Sequence, residues 1–471
     1  MKLNWPSVGP IVGATGPDEA RVFIRAGEEV LGKDQRRCFG ALRWRVVGDA
    51  VWSLPIFNKL SPIFDFSCVF VLQNLVPATP YEYQVGWFFA DAELDHVQAL
   101  ASDLQWPAPE PDFELSFTTG PAVNSAPRRY IVGSCRYVLR LFGGNFFDDR
   151  GDKTFRSVLE QIAGGQSVDA LLMIGDQIYA DDLKGVAPDR TMDQFLERYR
   201  AVFAQEYIRK LMARVPTYMI LDDHEIEDNW PAGATGSERA SKYVCAMHAY
   251  QIYQCSHGPL FKSDGDRIEG TLSHFWYSFR DGCADWFVMD SRTERVLEPG
   301  DRRMVSDKQM NALLEWLDDG SGNVKFIVTS VPVFPDMKSD KDDKWDAFPK
   351  QRLQILDFIH SRQIRKVVFV SGDVHCSFTC ELRLDDGNDG FLVHQIVSSS
   401  FFWPLPHMRQ SSFGFGEALK GTGNRRYVSK RISEVYSQDN FGRIEVEPNS
   451  VVVSFYERKG DPLGGATKLV L

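Results

Sequence analysis

The 471-residue chain has no apolar run approaching the ~20 residues that a membrane-spanning helix needs, which excludes a helical span within it. Its eight cysteines, Cys38, Cys68, Cys135, Cys245, Cys255, Cys283, Cys376 and Cys380, form no CxxC pair. A zinc knuckle is therefore excluded, and most of them are expected to be buried free thiols. There is no GxSxG elbow and no HExxH helix, so neither the serine-hydrolase nor the zinc-peptidase chemistry has its usual carrier. Basic excess is missing as well. Lys and Arg number 53 against 64 Asp and Glu, a net charge of −11, which argues against specific nucleic-acid binding or an anionic membrane as partner. Repeats and low-complexity tracts are absent. The first residues, MKLNWPSVGPIVGA, carry neither a long apolar core nor a twin-arginine pair, so the expected location is the cytoplasm.

What the chain does contain is a pattern repeated three times. Leu171–Asp182 reads LLMIGDQIYADD, an apolar run that meets Gly175, then Asp176 and Tyr179. Tyr218–Trp230 reads YMILDDHEIEDNW and brings Asp222, Asp223, His224 and Glu225 after another apolar run. Lys366–His375 reads KVVFVSGDVH, a valine-rich run ending in Gly372, Asp373 and His375. A short apolar run closed by glycine predicts a buried parallel strand whose carboxyl end opens into a loop, where α/β sheets bind their ligands. Any one of these edges is explained by an Asp that turns the chain. Three together, two with histidine attached, point instead to a site for a hard or borderline metal. A fourth edge, Tyr130–Arg136 (YIVGSCR), places Cys135 after a small-residue turn.

Taken in order, GSC, GDQIYAD, DDHEIEDN and SGDVH resemble the PhoD-like alkaline phosphatases, a branch of the calcineurin-like metallophosphatases. Val288–Arg295 (VMDSRTER), Gln309 before Trp316, Asp343–Arg352 (DKWDAFPKQR) and His394–Ser400 (HQIVSSS) resemble further segments of that family, so the resemblance runs through nearly the whole chain. It implies a four-layer α/β sandwich and a metal-dependent phosphoesterase acting on small-molecule phosphate mono- or diesters. It also implies a dinuclear or larger centre, ferric iron with calcium, or with manganese or magnesium. Two such metals activate a bridging water and clamp the phosphate. The net negative charge is no obstacle, because bound cations reverse the local field.

Within that reading Asp176 is the bridging ligand. Cys135, Tyr179 and His375 complete the first metal, where thiolate and phenolate favour iron over zinc, and Asp223 and Asp373 serve the second. His224 matches the histidine of the superfamily's GNH motif and is expected to protonate the leaving group or orient the phosphate. Asp222 is either a partner of His224 or a ligand. Arg136 either clamps a phosphate oxygen or makes a surface salt bridge. Asn229 either caps a helix or reaches the second metal, with the cap as the favoured reading. The chain departs from the general superfamily in having Asp where GNH has Asn, and Cys where a DxH pair usually opens the site. Two other readings compete: a binding protein with a structural metal, and a phosphotriesterase or other metallohydrolase.

Around these motifs the chain divides in two. Residues 1–120 read as all-β: Arg21–Arg25 and Phe113–Thr118 alternate, Phe66–Leu72 is largely apolar and Tyr81–Phe88 is rich in aromatics. PATPYEYQV with FELSFTTGP resembles the closing strands of a fibronectin III or immunoglobulin-like sandwich, expected to be a scaffold unless its aromatics wall a cleft. Gly120–Arg128 reads as a linker. From 129 to 471 strands alternate with helical spacing at Phe155–Ala163, Asp193–Arg214, Gly236–Gln254 and Asp307–Leu317. Gly414–Gly423 is expected to be a loop, since it has no GxGxxG spacing.

Overall fold

The computed structural model describes residues 1–27, 37–91, 93–138, 140–141, 146–147, 150–182, 188–338, 342–385, 391–422 and 425–471. Two large sheets make its centre. In the six-stranded sheet the order is Thr217–Ile220, Ala170–Ile174, Arg128–Gly133, Asn440–Glu447, Ser450–Glu457, Pro462–Leu469. The first three run parallel, with Met173 opposite both Gly133 and Met219. The last three form an antiparallel extension of the sheet. In the eight-stranded sheet the order is Tyr277–Asp281, Ala284–Val288, Val324–Val328, Val367–Ser371, Leu392–Val397, Phe378–Leu384, Arg426–Arg431, Ala418–Lys420. Its four strands from Ala284–Val288 to Leu392–Val397 are parallel.

The continuous apolar runs are explained by burial on both faces. In Val324–Val328 and Val367–Ser371, Phe326, Val328, Val368 and Val370 face the six-stranded sheet in one core, where Tyr130, Val132 and Leu172 meet them. The alternate residues Ile327, Val367 and Phe369 join a second core with Leu313 and Leu317 of the helix Asp307–Leu317 and Ile355 and Ile359 of Pro349–Ser361. On the far side of the six-stranded sheet pack Phe155 and Val158 of Arg150–Ala163 and Phe195 and Tyr199 of Met192–Phe203. Helices, sheet, sheet and helices therefore stack in four layers, with the central parallel strands buried on both faces.

Local chemistry sets the helix ends. Ser306 accepts the N–H of Gln309 and caps Asp307–Leu317, and Pro349 sits in the first turn of Pro349–Ser361. The single helix predicted over Asp193–Arg214 is two, Met192–Phe203 and Glu206–Met212. The break is tertiary: Asp152, from the helix before, accepts the N–H groups of Tyr207 (2.8 Å) and Ile208 (2.9 Å) and gives the second helix its own start. The segment Gly236–Gln254 likewise divides, into Gly236–Ala240, Lys242–Tyr250 and a π turn at Gln251–Cys255. Gly414–Gly423 is mostly loop but holds the short strand Ala418–Lys420; Gly423 lies outside the described residues.

The first 120 residues form strands of two further sheets. One is ordered Ile56–Leu60, Arg37–Val46, Pro80–Ala90, Ser116–Thr118; the other Val8–Thr15, Ala20–Arg25, Ser67–Leu72, Arg267–Glu269, Lys262–Asp264. Val12, Val22, Phe70, Leu42, Tyr83 and Val85 pack between them. The aromatics Tyr81, Tyr83 and Trp87 are spent there and are buried, so they wall no cleft. The second sheet borrows two strands from residues 262–269, and its other face, with Val8, Ile11, Phe23 and Val69, enters the main core. Tyr83 reinforces the junction by donating to the Ala213 carbonyl at 2.7 Å.

Candidate metal centre

Because the strands Arg128–Gly133, Ala170–Ile174 and Thr217–Ile220 are parallel and in register, their carboxyl ends lie at one edge, and so do Cys135, Asp176, Asp222 and Asp223. The matching edge of the other sheet delivers Asp373 after Val367–Ser371 and Ser398–Ser400 after Leu392–Val397. The two edges are stitched together. Ser134 Oγ accepts the Asp373 N–H at 3.3 Å, and Ser398 donates to the Val132 carbonyl at 2.8 Å. Gly175 and Gly372 permit the approach. A Cβ on Gly175 would stand 2.6 Å from that of Asp222, and one on Gly372 would stand 2.2 Å from Ser134 Oγ.

The turns that aim the candidates are unusual. Cys135, Asp176, Asp373 and His375 all have positive φ, at 55°, 54°, 65° and 48°. Aspartate tolerates that region, whereas cysteine and histidine enter it at a cost that the surrounding packing has to hold in place.

An oxygen from each of Asp176, Asp222, Asp223 and Asp373 lies within 4.8 Å of the others, and Asp176, Asp223 and a ring nitrogen of His224 form a second such group. Cys135 is fully buried, with Sγ 3.4 Å from Asp176 Oδ2 and 3.2 Å from the Ser399 hydroxyl. Tyr179 lies against His224 with ring centroids 4.3 Å apart. His375 stacks on Trp403 at 3.7 Å. The six metal candidates named from the sequence, Cys135, Asp176, Tyr179, Asp223, Asp373 and His375, thus converge at one edge.

Several atoms here suit a cation. Asp222 Oδ2, the Tyr179 oxygen and His375 Nε2 are buried and make no hydrogen bond among the described residues, an arrangement that costs free energy unless something else fills the gap. Burial and mutual repulsion also hold the Asp176 and Asp373 carboxyls well above the usual range. Carboxylates, imidazole, phenol and thiol together fit a mixed hard and borderline site.

Three sequence readings change. Arg136 is neither a phosphate clamp nor a surface salt bridge. Its guanidinium is fully buried between the rings of Phe155 (5.6 Å) and Phe203 (5.5 Å) and donates to the Val202 carbonyl at 3.3 Å. Burial lowers its pKa to about 10. Asp222 is not the partner of His224. Its Oδ1 accepts from Arg292 Nε, while His224 Nδ1 lies 2.8 Å from Asp181 Oδ2. Asn229 caps no helix: it turns the chain at φ 60°, its N–H goes to Asp223 Oδ2, and the nearest helix, Gly236–Ala240, is capped by Thr235.

Three residues were missed. Asp181 carries no role in the sequence reading, although its place five residues after Asp176 in GDQIYAD is the available signal. Glu225, fully buried, accepts the N–H groups of Asp176 (3.1 Å), Gln177 (2.7 Å) and Asp222 (2.8 Å) and the Gln254 amide (3.0 Å). It thereby binds the loops after two strands into one unit. Arg292, after Ala284–Val288, joins Asp222, approaches Asp223 at 3.7 Å and pairs with Asp343 at 2.9 Å, which also takes Arg295 at 2.7 Å. Arg292 lies inside the VMDSRTER segment, but its partners Asp222 and Asp343 stand about 50 to 70 positions away and no local pattern pairs them with it.

Comparison with solved structures gives the class. The fold is a metallophosphatase fold. A structure of PhoD superposes with a TM-score of 0.72 at 15% identity, covering 99% of this chain and 89% of that one. The purple acid phosphatase PPD1 of yellow lupin (Lupinus luteus) superposes at 0.61 and 12% identity, covering 98% and 73%. The family model for PhoD-like phosphatases matches residues 141–454, and this chain belongs to that family. The matched span holds Asp176, Tyr179, Asp222, Asp223, His224, Asp373 and His375 but starts after Cys135. A curated relative, alkaline phosphatase D of Bacillus subtilis (strain 168), is 26% identical over 226 residues. That match spans 41% of this chain and 37% of the relative, little more than a third of its length.

Proposed function

We propose that this chain is a metal-dependent phosphoesterase that hydrolyses small phosphate mono- or diesters. The observation that carries the reading is the convergence of four carboxylates with three orphaned donor atoms beside a histidine that has its own acidic partner. Cations bound there would supply Lewis acidity toward the phosphoryl oxygens and would activate a water. Asp176, Asp223 and Asp373 are the carboxylates we assign to holding them, with Cys135, Tyr179 and His375 on the ion that we take to be ferric iron. Asp222 would offer its second oxygen to the calcium-, manganese- or magnesium-type ion, since Arg292 holds the other.

His224 is assigned as proton donor to the leaving oxygen. Asp181 fixes the proton on Nδ1 and leaves Nε2 as the working nitrogen. Burial opposes its charge, but Asp223, Asp181 and Asp228 outweigh it and hold its pKa up to about 10. A purely structural metal would have no use for this pair, which favours an enzyme over a binding protein. We read residues 1–120 as a fibronectin- or immunoglobulin-like scaffold and 129–471 as the catalytic unit. The core between the two N-terminal sheets supports that division, and the strands lent by 262–269 make it an intimate one. No helix among the described residues is long and apolar enough to cross a membrane.

A panel of p-nitrophenyl mono-, di- and triesters, run with iron plus calcium and with manganese, tests the proposal. Mono- or diester turnover is expected. Turnover of the triester alone would make the chain a phosphotriesterase, and a fully loaded protein inert on all three would end the reading.

A further inference from the structure

His224 and His375 reach the carboxylate cluster from different sheets, and they are held there in different ways. The His224 ring is aimed by a hydrogen bond, with Nδ1 2.8 Å from Asp181 Oδ2. The His375 ring has no such partner. Its Nε2 is buried, and neither ring nitrogen makes a hydrogen bond among the described residues. An imidazole that binds a metal is ordinarily aimed by a hydrogen bond at its other nitrogen.

What bears on the His375 ring instead is an aromatic face. Trp403, half-buried, lies against it with ring centroids 3.7 Å apart and planes within 10° of parallel. At that separation the rings are in van der Waals contact, so the imidazole cannot tilt toward the indole. The same indole stands 5.8 Å from the ring of Tyr179, and Tyr137 meets both edge-on, at 5.1 Å from Tyr179 and 6.4 Å from Trp403. One side chain therefore touches two residues assigned to one ion, although Tyr179 follows Ala170–Ile174 and His375 follows Val367–Ser371 in the other sheet.

Trp403 is itself fixed. Its backbone N–H donates to Asp439 Oδ1 at 3.0 Å, and that carboxylate, one residue ahead of the strand Asn440–Glu447, also meets His407 Nε2 (3.2 Å) and Arg458 Nε (3.6 Å). The indole N–H is buried without a partner among the described residues, so it is the ring face that acts on His375. Electrostatics give that face a preference. An imidazole bound to a cation is drained of electron density, and the electron-rich indole attracts it more strongly than the free ring.

We propose that Trp403 is a positioning residue of the metal centre: its indole face stands in for the hydrogen bond that His375 lacks and keeps His375 and Tyr179 directed at one ion. This role rests on the assignment of both as ligands of the ferric ion and adds what aims them.

Ferric-iron affinity of the whole chain, measured by competition with a chelator, and the visible spectrum of the iron-loaded protein test this role with two substitutions. Trp403→Phe keeps an aromatic face, and Trp403→Leu keeps apolar bulk without one. Trp403→Leu should bind iron about tenfold or more weakly than the parent, shift the visible band, and lower kcat more than it raises KM. Trp403→Phe should keep most of the affinity, the band and kcat. Thermal melting of the metal-free proteins reports folding, and a Trp403→Leu protein that melts with the parent yet releases iron separates positioning from packing. The role is overturned if folded Trp403→Leu matches the parent in iron affinity and spectrum, or if Trp403→Phe itself loses tenfold in affinity. A parent chain that takes up no iron would overturn the ligand assignment, and this role with it.

Discussion

Glu225 is fully buried and pairs with no cation among the described residues, yet it accepts three backbone N–H groups from two loops. Burial holds its pKa above the ordinary carboxylate value, and the Gln254 amide and those N–H groups offset only part of that rise. Glu225→Gln sets an NH2 donor against N–H donors. It should destabilise the chain by about 2–4 kcal/mol, read as a lower urea midpoint with an unchanged slope, and it should weaken metal retention in dialysis. His224 makes a different claim. His224→Ala should lower kcat by about 10²–10⁴-fold for alkyl esters and much less for p-nitrophenyl esters, whose leaving group departs without a proton. Asp181→Asn should follow the same leaving-group pattern less severely. An equal loss across the series would make His224 a ligand or a phosphate-positioning group. Cys135 and Tyr179, if they share a ferric ion, make the oxidised iron-loaded protein absorb visible light. Cys135→Ser and Tyr179→Phe should each shift or weaken the band. A spectrum indifferent to both would remove them from the ligand set.

The elements that carry the site are strand ends, and these were legible. Apolar runs closed by glycine and aspartate located the strands at Ala170–Ile174, Thr217–Ile220 and Val367–Ser371 because both faces of each are buried. What the pattern could not show was which side chains leave the edge for the core, as Arg136 does, or which distant element supplies a countercharge, as the loop after Ala284–Val288 does with Arg292. Helix breaks were hidden for the same reason, since the Asp152 cap on Tyr207 and Ile208 reaches across 55 and 56 positions. That loop also yields a pH prediction. Burial works against the Asp343 carboxylate, but Arg292 and Arg295 overcome it and hold its pKa at about 2, below the ordinary 3.8. A depressed folded pKa gives stability that is present above the unfolded value and lost as pH falls through the folded one. Asp343→Asn should therefore cost about 3–5 kcal/mol at pH 7 by breaking a buried pair. The gap between variant and parent, followed by denaturant unfolding, should narrow steadily below pH 4. A gap that stayed constant down to pH 2 would mean that the pair contributes no net charge stabilisation.

At the scale of the molecule, one of the two N-terminal sheets takes two strands from residues 262–269 and packs into the core of the two large sheets. Residues 1–120 were readable as β structure, but the strands lent by 262–269 were not, because pairing between segments about 200 positions apart leaves no local periodicity. The chain should unfold in one transition, coincident by far-ultraviolet circular dichroism and tryptophan fluorescence. Two separated transitions would show that the N-terminal part is independent. The central claim is that the carboxylate cluster holds the ions that make the chain an esterase. Its most direct measurement is metal content and turnover of bis-p-nitrophenyl phosphate on the same samples, first after chelation and then through reloading, for the parent beside Asp176→Asn. Chelation should abolish turnover in the parent, and turnover should return as about two ions bind per chain. Asp176→Asn should recover neither. Turnover that survives complete metal removal, or Asp176→Asn protein that binds its full metal and works near the parental rate, would contradict the account.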